Sequence, residues 1–433
     1  MQIFEWIANN LFGVPAFFIG LIVALGLIFK KSSLSKVITG TLKAIMGFLI
    51  IDIGSGAITG GLQVFQPLWA EVFGLSEGSM PTGFMGFDTF SGKFGSYIAV
   101  IMFFGFFVNV LLARFTKYKY IYLTGHMMFW QVTIFLGIII DVNPNINMAL
   151  VVPALSIIMG LYWTFQPALT QKYVVKATKN DQVALGHSVG IGAWLSGLLG
   201  NLVRGKNYKS AEEFKISNKF SFLRDSNVIT AIIMGVLFII GGIILMVKDT
   251  ADSQAILASS GSQNFLIYSI VQAVRFAAGI AVVLYGVRLF IAELVPAFKG
   301  FSDKLVPGAI PAIDAPFLYS YAPNSVILGF LGTFIGSLIW LVVLGNTAGY
   351  VFVPTMIVLF FHGAAAGVLG NTTGGWKGAI LGGIIIATIV AVGQWICVMH
   401  LLPTTIPDTA SWAADTDMFI IGPVIRALFE LIK

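Results

Sequence analysis

Charged residues are scarce in this sequence. They account for 10% of its 433 residues, and hydrophobic residues account for 57%. Soluble domains carry about 25% charged residues, so this composition excludes an ordinary soluble enzyme. The mean hydropathy of +0.91 supports the same conclusion. The sequence therefore predicts a polytopic membrane protein.

Cysteine is nearly absent as well. The one cysteine, Cys397, lies in an apolar run, so we expect neither an internal disulfide nor an exposed reactive thiol. The sequence also lacks a phosphate-binding loop, a dinucleotide fingerprint and any His/Cys cluster with zinc-ligand spacing. We therefore predict that the chain is not an enzyme and has no catalytic residue, metal or cofactor. Its net charge of +6 comes from loops predicted to face the cytoplasm, which indicates topology rather than nucleic-acid binding.

Long apolar runs are abundant instead. A helix crosses the hydrocarbon core of a membrane with about 20 residues. The runs of suitable length are residues 11–29, 37–59, 97–112, 121–140, 148–165, 228–247, 264–298, 326–344, 350–369, 379–402 and 418–432. Lysine and arginine follow alternate runs, which predicts the N-terminus outside and the C-terminus in the cytoplasm. The sequence predicts an all-α fold of about eleven transmembrane helices.

Three segments interrupt this pattern. Residues 183–202 are apolar but have basic residues on both sides, which predicts a re-entrant hairpin that bends in the glycine-rich residues 186–200. Residues 37–59 contain Gly54-Ser55-Gly56, which predicts a break in that helix. Asp52, just before this break, either lines the same site or pairs with a basic group. A similar order of helix, basic connector and broken segment occurs in residues 11–56 and 264–324, as in transporters with inverted repeats.

The third interruption, residues 306–324, carries Asp314 among four prolines. Proline removes a backbone donor and breaks a continuous helix. Broken backbone at membrane depth is stable only inside protein or beside a cavity, and an acid there is by default a functional candidate. The alternative is a surface loop in which Asp314 is solvated. With Gly54 and Ser55, Asp314 is nominated as a substrate contact.

Two histidines are further candidates. His126 is followed about one turn later by Trp130 and Gln131, and together these side chains offer donors, acceptors and a stacking surface to a small polar ligand. His187 precedes Ser188 in the predicted hairpin. The alternative for each histidine is a buried imidazole bonded to a neighbouring carbonyl. We expect His362 to be structural and His400 to lie near a membrane surface.

Several motifs together resemble one family. They are GFLIIDIGSG (47–56), LTGHMMF (123–129), GH (186–187), YGVRLFIAEL (285–294), PGAIPAID (307–314), YAPN (321–324) and GGWK (374–377). Nearly the whole chain, from about residue 11 to the last predicted helix, resembles the membrane IIC component of the L-ascorbate-specific phosphotransferase system.

This resemblance implies an overall plan. Residues 1–433 would form a single transmembrane domain of a bacterial cytoplasmic-membrane permease, with an interleaved substrate-binding core and dimerisation part. The permease would be a homodimer in membrane lipid and would move L-ascorbate inward by an elevator mechanism. A separate phosphorylated IIB protein, supplied by IIA, would phosphorylate the substrate at the cytoplasmic face. We expect IIA and IIB to be separate polypeptides.

The resemblance also implies substrate contacts. They would fall on Gly54, Ser55, Thr82, Gly83, His126 and the turn after it, His187, Ser188 and Asp314. Three positions depart from the family pattern, which often has glutamine where this chain has Asp52, Trp130 and Ser188. These departures change the charge and shape of the expected pocket and therefore bear on the preferred substrate.

Two other functions remain open from the residues alone. One is an ion-coupled secondary transporter of an organic anion, sugar acid or polyol, in which Asp314 or Asp52 would bind the coupling ion. The other is a membrane enzyme acting on lipids, which would need paired catalytic groups near one membrane surface.

Overall fold

The fold is mostly helical. The computed structural model describes residues 15–74, 81–206, 208–214, 226–350, 352 and 356–431. The helices are α1 (Pro15–Phe29), α2 (Leu34–Val72), α3 (Phe87–Phe115), α4 (Gly125–Val142), α5 (Met148–Thr178), α6 (Gly190–Leu199), α7 (Ser226–Lys248), α8 (Ala251–Ala258), α9 (Phe265–Lys304), α10 (Pro323–Thr347), α11 (Met356–Ile396), α12 (Pro407–Ala413) and α13 (Thr416–Glu430). The strands are β1 (Tyr120–Tyr122), β2 (Ala184–Leu185) and β3 (Ile310–Ile313).

Eight of the described helices are long and apolar enough to cross a membrane, so the chain is a multi-pass membrane protein. The sequence predicted about eleven crossings. Three predicted crossings account for the difference. Helix α11 contains two of the predicted segments and is counted once. Helices α1 and α13 are 15 residues each as described and are too short to be counted. Within α11 the chain reverses at Gly375, whose φ of 63° favours glycine. The two arms pack closely, since a Cβ on Gly382 would lie 2.6 Å from the carbonyl oxygen of Ala366.

The first group of helices consists of α1, α2, α7 and α9, which pack against one another. Glycines allow the backbones of α2 and α9 to approach closely. A Cβ on Gly54 would lie 2.7 Å from the Gly279 carbonyl oxygen and from the Val283 nitrogen. The predicted break at Gly54-Ser55-Gly56 is wrong, because α2 continues without interruption from Leu34 to Val72. A helix needs no break when its glycines fit against a neighbouring helix.

The second group contains α3 to α6 and α10 to α13, arranged around a small parallel sheet of order β1-β3-β2. The strand register pairs Tyr122 with Ala312, and Leu185 with Ile313. The helical part of the all-α prediction is correct, but this sheet was not predicted. Its strands are two to four residues long, which is too short to give an alternating pattern.

Buried amide side chains complete the hydrogen bonding at both edges of the sheet. On the β1 side, Asn109 donates to the Tyr120 carbonyl at 3.0 Å and accepts from the Tyr122 N–H at 3.0 Å. On the β2 side, Gln166 donates to the Leu185 carbonyl at 3.2 Å and accepts from the His187 N–H at 3.3 Å. Unpaired sheet edges are costly away from water, so these two amides make the sheet possible.

The predicted re-entrant segment, residues 183–202, consists of β2, a turn and α6, ending in a short 3-10 helix (Gly200–Val203). Its entry and exit on one membrane side and the inverted repeat remain predictions. Asp415 and Asp417, at the start of α13, are buried. Asp417 accepts hydrogen bonds from the Ile191 N–H at 2.8 Å and from the Tyr162 hydroxyl at 2.7 Å. These contacts connect α13 with α6 and α5.

Candidate functional site

The ends of the three strands bring three predicted site residues together. His126 follows β1, His187 follows β2 and Asp314 follows β3. The carboxyl ends of parallel strands lie at one edge of a sheet, so short connections place these side chains side by side. The Asp314 carboxylate lies between the two imidazoles, with Oδ2 3.4 Å from His126 Nε2 and Oδ1 3.5 Å from His187 Nε2.

Asp314 is fixed by the backbone but keeps room for a ligand. Its Oδ1 accepts from the Ala315 N–H at 2.7 Å, where it caps a 3-10 helix (Ala315–Ser320). Its side chain is 27% exposed. The two imidazole contacts are longer than an ordinary hydrogen bond of 2.7–3.2 Å. The carboxylate can therefore accept further hydrogen bonds from a polar ligand.

The two imidazoles differ in their surroundings. The His126 side chain is 37% exposed, whereas that of His187 is 5% exposed. The Val189 N–H donates to His187 Nδ1 at 3.1 Å. A neutral His187 ring then carries its hydrogen on Nε2, which faces Asp314. His187 thus directs a fixed N–H towards Asp314, while His126 is accessible to a ligand.

A small cavity opens beside Asp314 and His126. Its lining from the first helix group is entirely hydrophobic: Ile19, Phe48, Ile51, Val287 and Phe290. The second group contributes Thr124, Gly125, His126 and Asp314, with apolar neighbours. Helix α4 begins at Gly125, and the positive end of a helix dipole favours an anion. The cavity therefore has an apolar wall and a polar wall.

Eight of the ten predicted contacts lie outside this cavity lining, which includes only His126 and Asp314 among them. Gly54 is buried against α9, and Ser55 lies beside it in α2. Thr82 and Gly83 are exposed in the turn before α3, where the Met85 and Gly86 N–H groups donate to the carbonyls of Thr404 and Thr405. Their contact with substrate remains a prediction. Asp52 is exposed on the surface of α2.

Three further candidates have protein partners. Gln131 is fully buried, donates to the Tyr122 hydroxyl at 3.2 Å and accepts from Trp163 Nε1 at 2.7 Å. The Ser188 hydroxyl donates to Asp415 Oδ2. Trp130 packs its ring against Phe87, Phe129 and Trp412. Their role as substrate contacts is likewise a prediction.

The sequence reasoning did not find two residues beside His187. The rings of His187 and His362 lie 5.0 Å apart, edge to face. His362 Nε2 lies 3.2 Å from Asp415 Oδ2. His362 follows an apolar run and was expected to be structural, and Asp415 was not among the predicted site residues. His400, predicted near a membrane surface, is exposed and packs its ring against Trp395.

Comparison with known proteins identifies the family. The family model EIIC-GAT, described as the sugar-specific permease component of the phosphotransferase system (PTS), matches residues 10–420. The chain is also 28% identical over 424 residues to the ascorbate-specific PTS system EIIC component of Mycoplasma pneumoniae. That match covers 86% of this chain and 63% of the relative, so the chain spans less than two thirds of the relative's length. Because the family model covers nearly all of it, the chain belongs to the EIIC-GAT family of PTS sugar-specific permease components.

Proposed function

We propose that this chain binds L-ascorbate and carries it inward across the bacterial cytoplasmic membrane, coupled to phosphorylation by a separate phospho-IIB protein. The observation that carries the proposal is the placement of Asp314 between His126 and His187 beside a cavity. The ascorbate-specific relative supports the choice of substrate. The chain itself performs no phosphoryl transfer; IIB does, and IIA supplies IIB.

Charge is the main physical difficulty for this substrate. Ascorbate is an anion near neutral pH, and an ionised Asp314 would repel it in a partly desolvated site. In our proposal Asp314 accepts hydrogen bonds from the ligand hydroxyls. His126 and the N-terminus of α4 offset the negative charge of the ligand.

Movement would occur between the two walls of the cavity. The first helix group offers only hydrophobic side chains to the cavity and forms no ion pair with Asp314 among the described contacts. An apolar surface makes no directional bonds, so the second group can slide along it with its ligand. We propose that this sliding is an elevator movement and that the first group forms the homodimer contact in the lipid bilayer.

The test uses the full chain in right-side-out membrane vesicles, into which phosphoenolpyruvate and the soluble PTS proteins can be loaded. We expect labelled ascorbate to accumulate only when phosphoenolpyruvate and the soluble PTS proteins are supplied. Galactitol is the matched control substrate. Purified protein should bind ascorbate in detergent without any of these partners.

Two outcomes would contradict the proposal. Uptake that follows a proton or sodium gradient, without phosphoenolpyruvate, would identify an ion-coupled carrier instead. Preferential binding of galactitol would leave the permease function intact and refute ascorbate as the substrate.

A further inference from the structure

A second group of polar side chains lies beside His187 and outside the cavity lining. His362 of α11 and Asp415, the N-cap of α13, are 3% and 2% exposed. One ligand atom from each of His187, His362 and Asp415 lies within 4.8 Å of the other two. The site described above gives His362 and Asp415 no role.

The orientation of the His362 ring is set by the backbone. Its Nδ1 lies 3.0 Å from the Val358 carbonyl oxygen, which can only accept a hydrogen bond, so Nδ1 carries the hydrogen. The Nε2 lone pair of the neutral ring then faces the Asp415 carboxylate at 3.2 Å. Two buried acceptors at this distance repel each other unless a cation lies between them.

No hydrogen bond joins His362 Nε2 to Asp415. His362 Nε2 and Asp415 Oδ1 are buried without a hydrogen-bond partner in the described part of the chain. The 3.2 Å contact between His362 Nε2 and Asp415 Oδ2 is therefore a contact between two acceptors and not a hydrogen bond. The neighbouring Asp417 carboxylate is already occupied, because its oxygens accept hydrogen bonds from the Ile191 N–H and the Tyr162 hydroxyl.

A metal ion fits the same atoms well. With bonds of about 2.0–2.1 Å to nitrogen and oxygen, a separation of 3.2 Å gives a roughly tetrahedral angle at the ion. The ion then lies off the line that joins the two atoms. A bond from the second ring nitrogen to a backbone carbonyl is the usual outer contact of a metal-bound histidine. We propose that His187, His362 and Asp415 bind one divalent transition-metal ion of the zinc class.

His187 would complete the site through Nδ1. The ion would replace the hydrogen bond from the Val189 N–H, and Nε2–H would still face Asp314. A carboxylate that orients a metal-bound imidazole in this way raises the basicity of the ligand. Ser188, which donates to Asp415, fixes the carboxylate. The ion would tie the β2–α6 turn to α11 and α13.

The ion also has a consequence for the substrate, and this part rests on the proposed function. Two neutral imidazoles and one carboxylate leave the bound ion with a net positive charge. That charge would lie one imidazole away from Asp314. It would offset the negative Asp314 and favour an anionic ligand in the cavity.

The test measures metal binding directly in purified full-length protein. After treatment with a chelator, the protein is dialysed against Zn²⁺ and its metal content is measured; Co²⁺ gives a visible absorption spectrum that reports tetrahedral coordination. We expect one ion per chain. With its amide nitrogen at the Oδ2 position, Asp415→Asn can donate to both the Ser188 hydroxyl oxygen and His362 Nε2, but an amide is a poor zinc ligand. This variant and His362→Ala should each lose the ion, whereas His400→Ala and Asp408→Asn should retain it.

Folding is checked by size-exclusion chromatography and thermal unfolding without metal, where Asp415→Asn should be at least as stable as the wild type, because the amide removes the repulsion between two acceptors. Metal content that is absent, or equal in wild type and Asp415→Asn, would overturn the proposed site. Ascorbate affinity is then compared with and without Zn²⁺, and we expect about a tenfold increase with the ion. Equal affinity with and without Zn²⁺ would overturn only the proposed effect of the ion's charge on ascorbate binding. Absence of ascorbate binding under all conditions would refute the proposed function and leave the metal count unaffected.

Discussion

The two walls of the cavity are built by different physical means. The polar wall consists of strand ends, where Asp314, His126 and His187 converge and buried amides satisfy the backbone. The apolar wall consists of α1, α2 and α9, which approach through glycines and offer only hydrophobic side chains. Irregular backbone inside a membrane protein needs polar partners, whereas continuous helices satisfy their own backbone. Chemistry is therefore concentrated on one wall and close packing on the other.

The largest expected effect is a loss of ascorbate affinity when Asp314 on the polar wall is replaced, without a loss of its contact with the backbone. Asp314→Asn keeps an oxygen for the Ala315 N–H but loses the charge that strengthens hydrogen bonds from ligand hydroxyls. Hydrogen bonds to charged groups contribute about 1.5–3 kcal/mol, so affinity for ascorbate should fall about 10- to 100-fold. Equilibrium binding measures this change. Wild-type affinity in Asp314→Asn, or an equal loss in Asp408→Asn, would contradict the assigned role.

The next prediction concerns the support of the polar wall. Asn109→Leu removes the partners of the Tyr120 carbonyl and the Tyr122 N–H. Each buried group left unpaired costs about 1–3 kcal/mol, so the free energy of unfolding should fall by several kcal/mol. Thermal unfolding in detergent tests this. Asn346→Leu is the control, since Asn346 is exposed; equal losses in both variants would refute the role of Asn109.

A matched pair of glycines tests the apolar wall. Gly54→Ala would push a methyl group into the Gly279 carbonyl and the Val283 nitrogen, whereas a Cβ at Gly56 meets nothing within 4 Å. Overpacking costs about 1–3 kcal/mol, and a helical Gly→Ala change without contacts gains up to about 1 kcal/mol. Gly54→Ala should therefore unfold at a lower temperature than wild type, and Gly56→Ala at the same or a higher one. The reverse order would contradict the α2–α9 packing.

The smallest effect lies at the far end of the apolar wall. Hydrogen bonds from Thr250 and from Lys248 lower the pKa of Glu71 below its usual 4.5. Because the folded-state pKa is lowered, the stabilisation is present above pH 4.5 and is lost as the pH falls through the folded-state pKa. Glu71→Gln should reduce stability at pH 7 by less than about 1 kcal/mol. The two proteins should converge in acid, and a constant difference across this range would refute the assignment.

The sequence allowed much of the fold to be predicted. Apolar runs gave nearly every long helix, and the prolines around Asp314 gave the broken segment correctly. The strands could not be predicted, because Pro311 argues against a central strand and each strand is only a few residues long. Glycine in a helix was ambiguous: Gly54 was predicted as a break, but it packs against α9. The position of a glycine in the sequence does not show whether the backbone of another helix lies beside it.

Composition by itself determined that this protein spans a membrane, because only an apolar chain of this kind avoids the cost of unpaired charges in lipid. Local sequence also nominated Asp314, His126 and His187, because polar groups are rare in such a chain. Only the tertiary structure brought both imidazoles within 3.5 Å of the Asp314 carboxylate and added His362 and Asp415. Those contacts join segments far apart in the chain, and their distances depend on how strands and helices pack rather than on any local pattern.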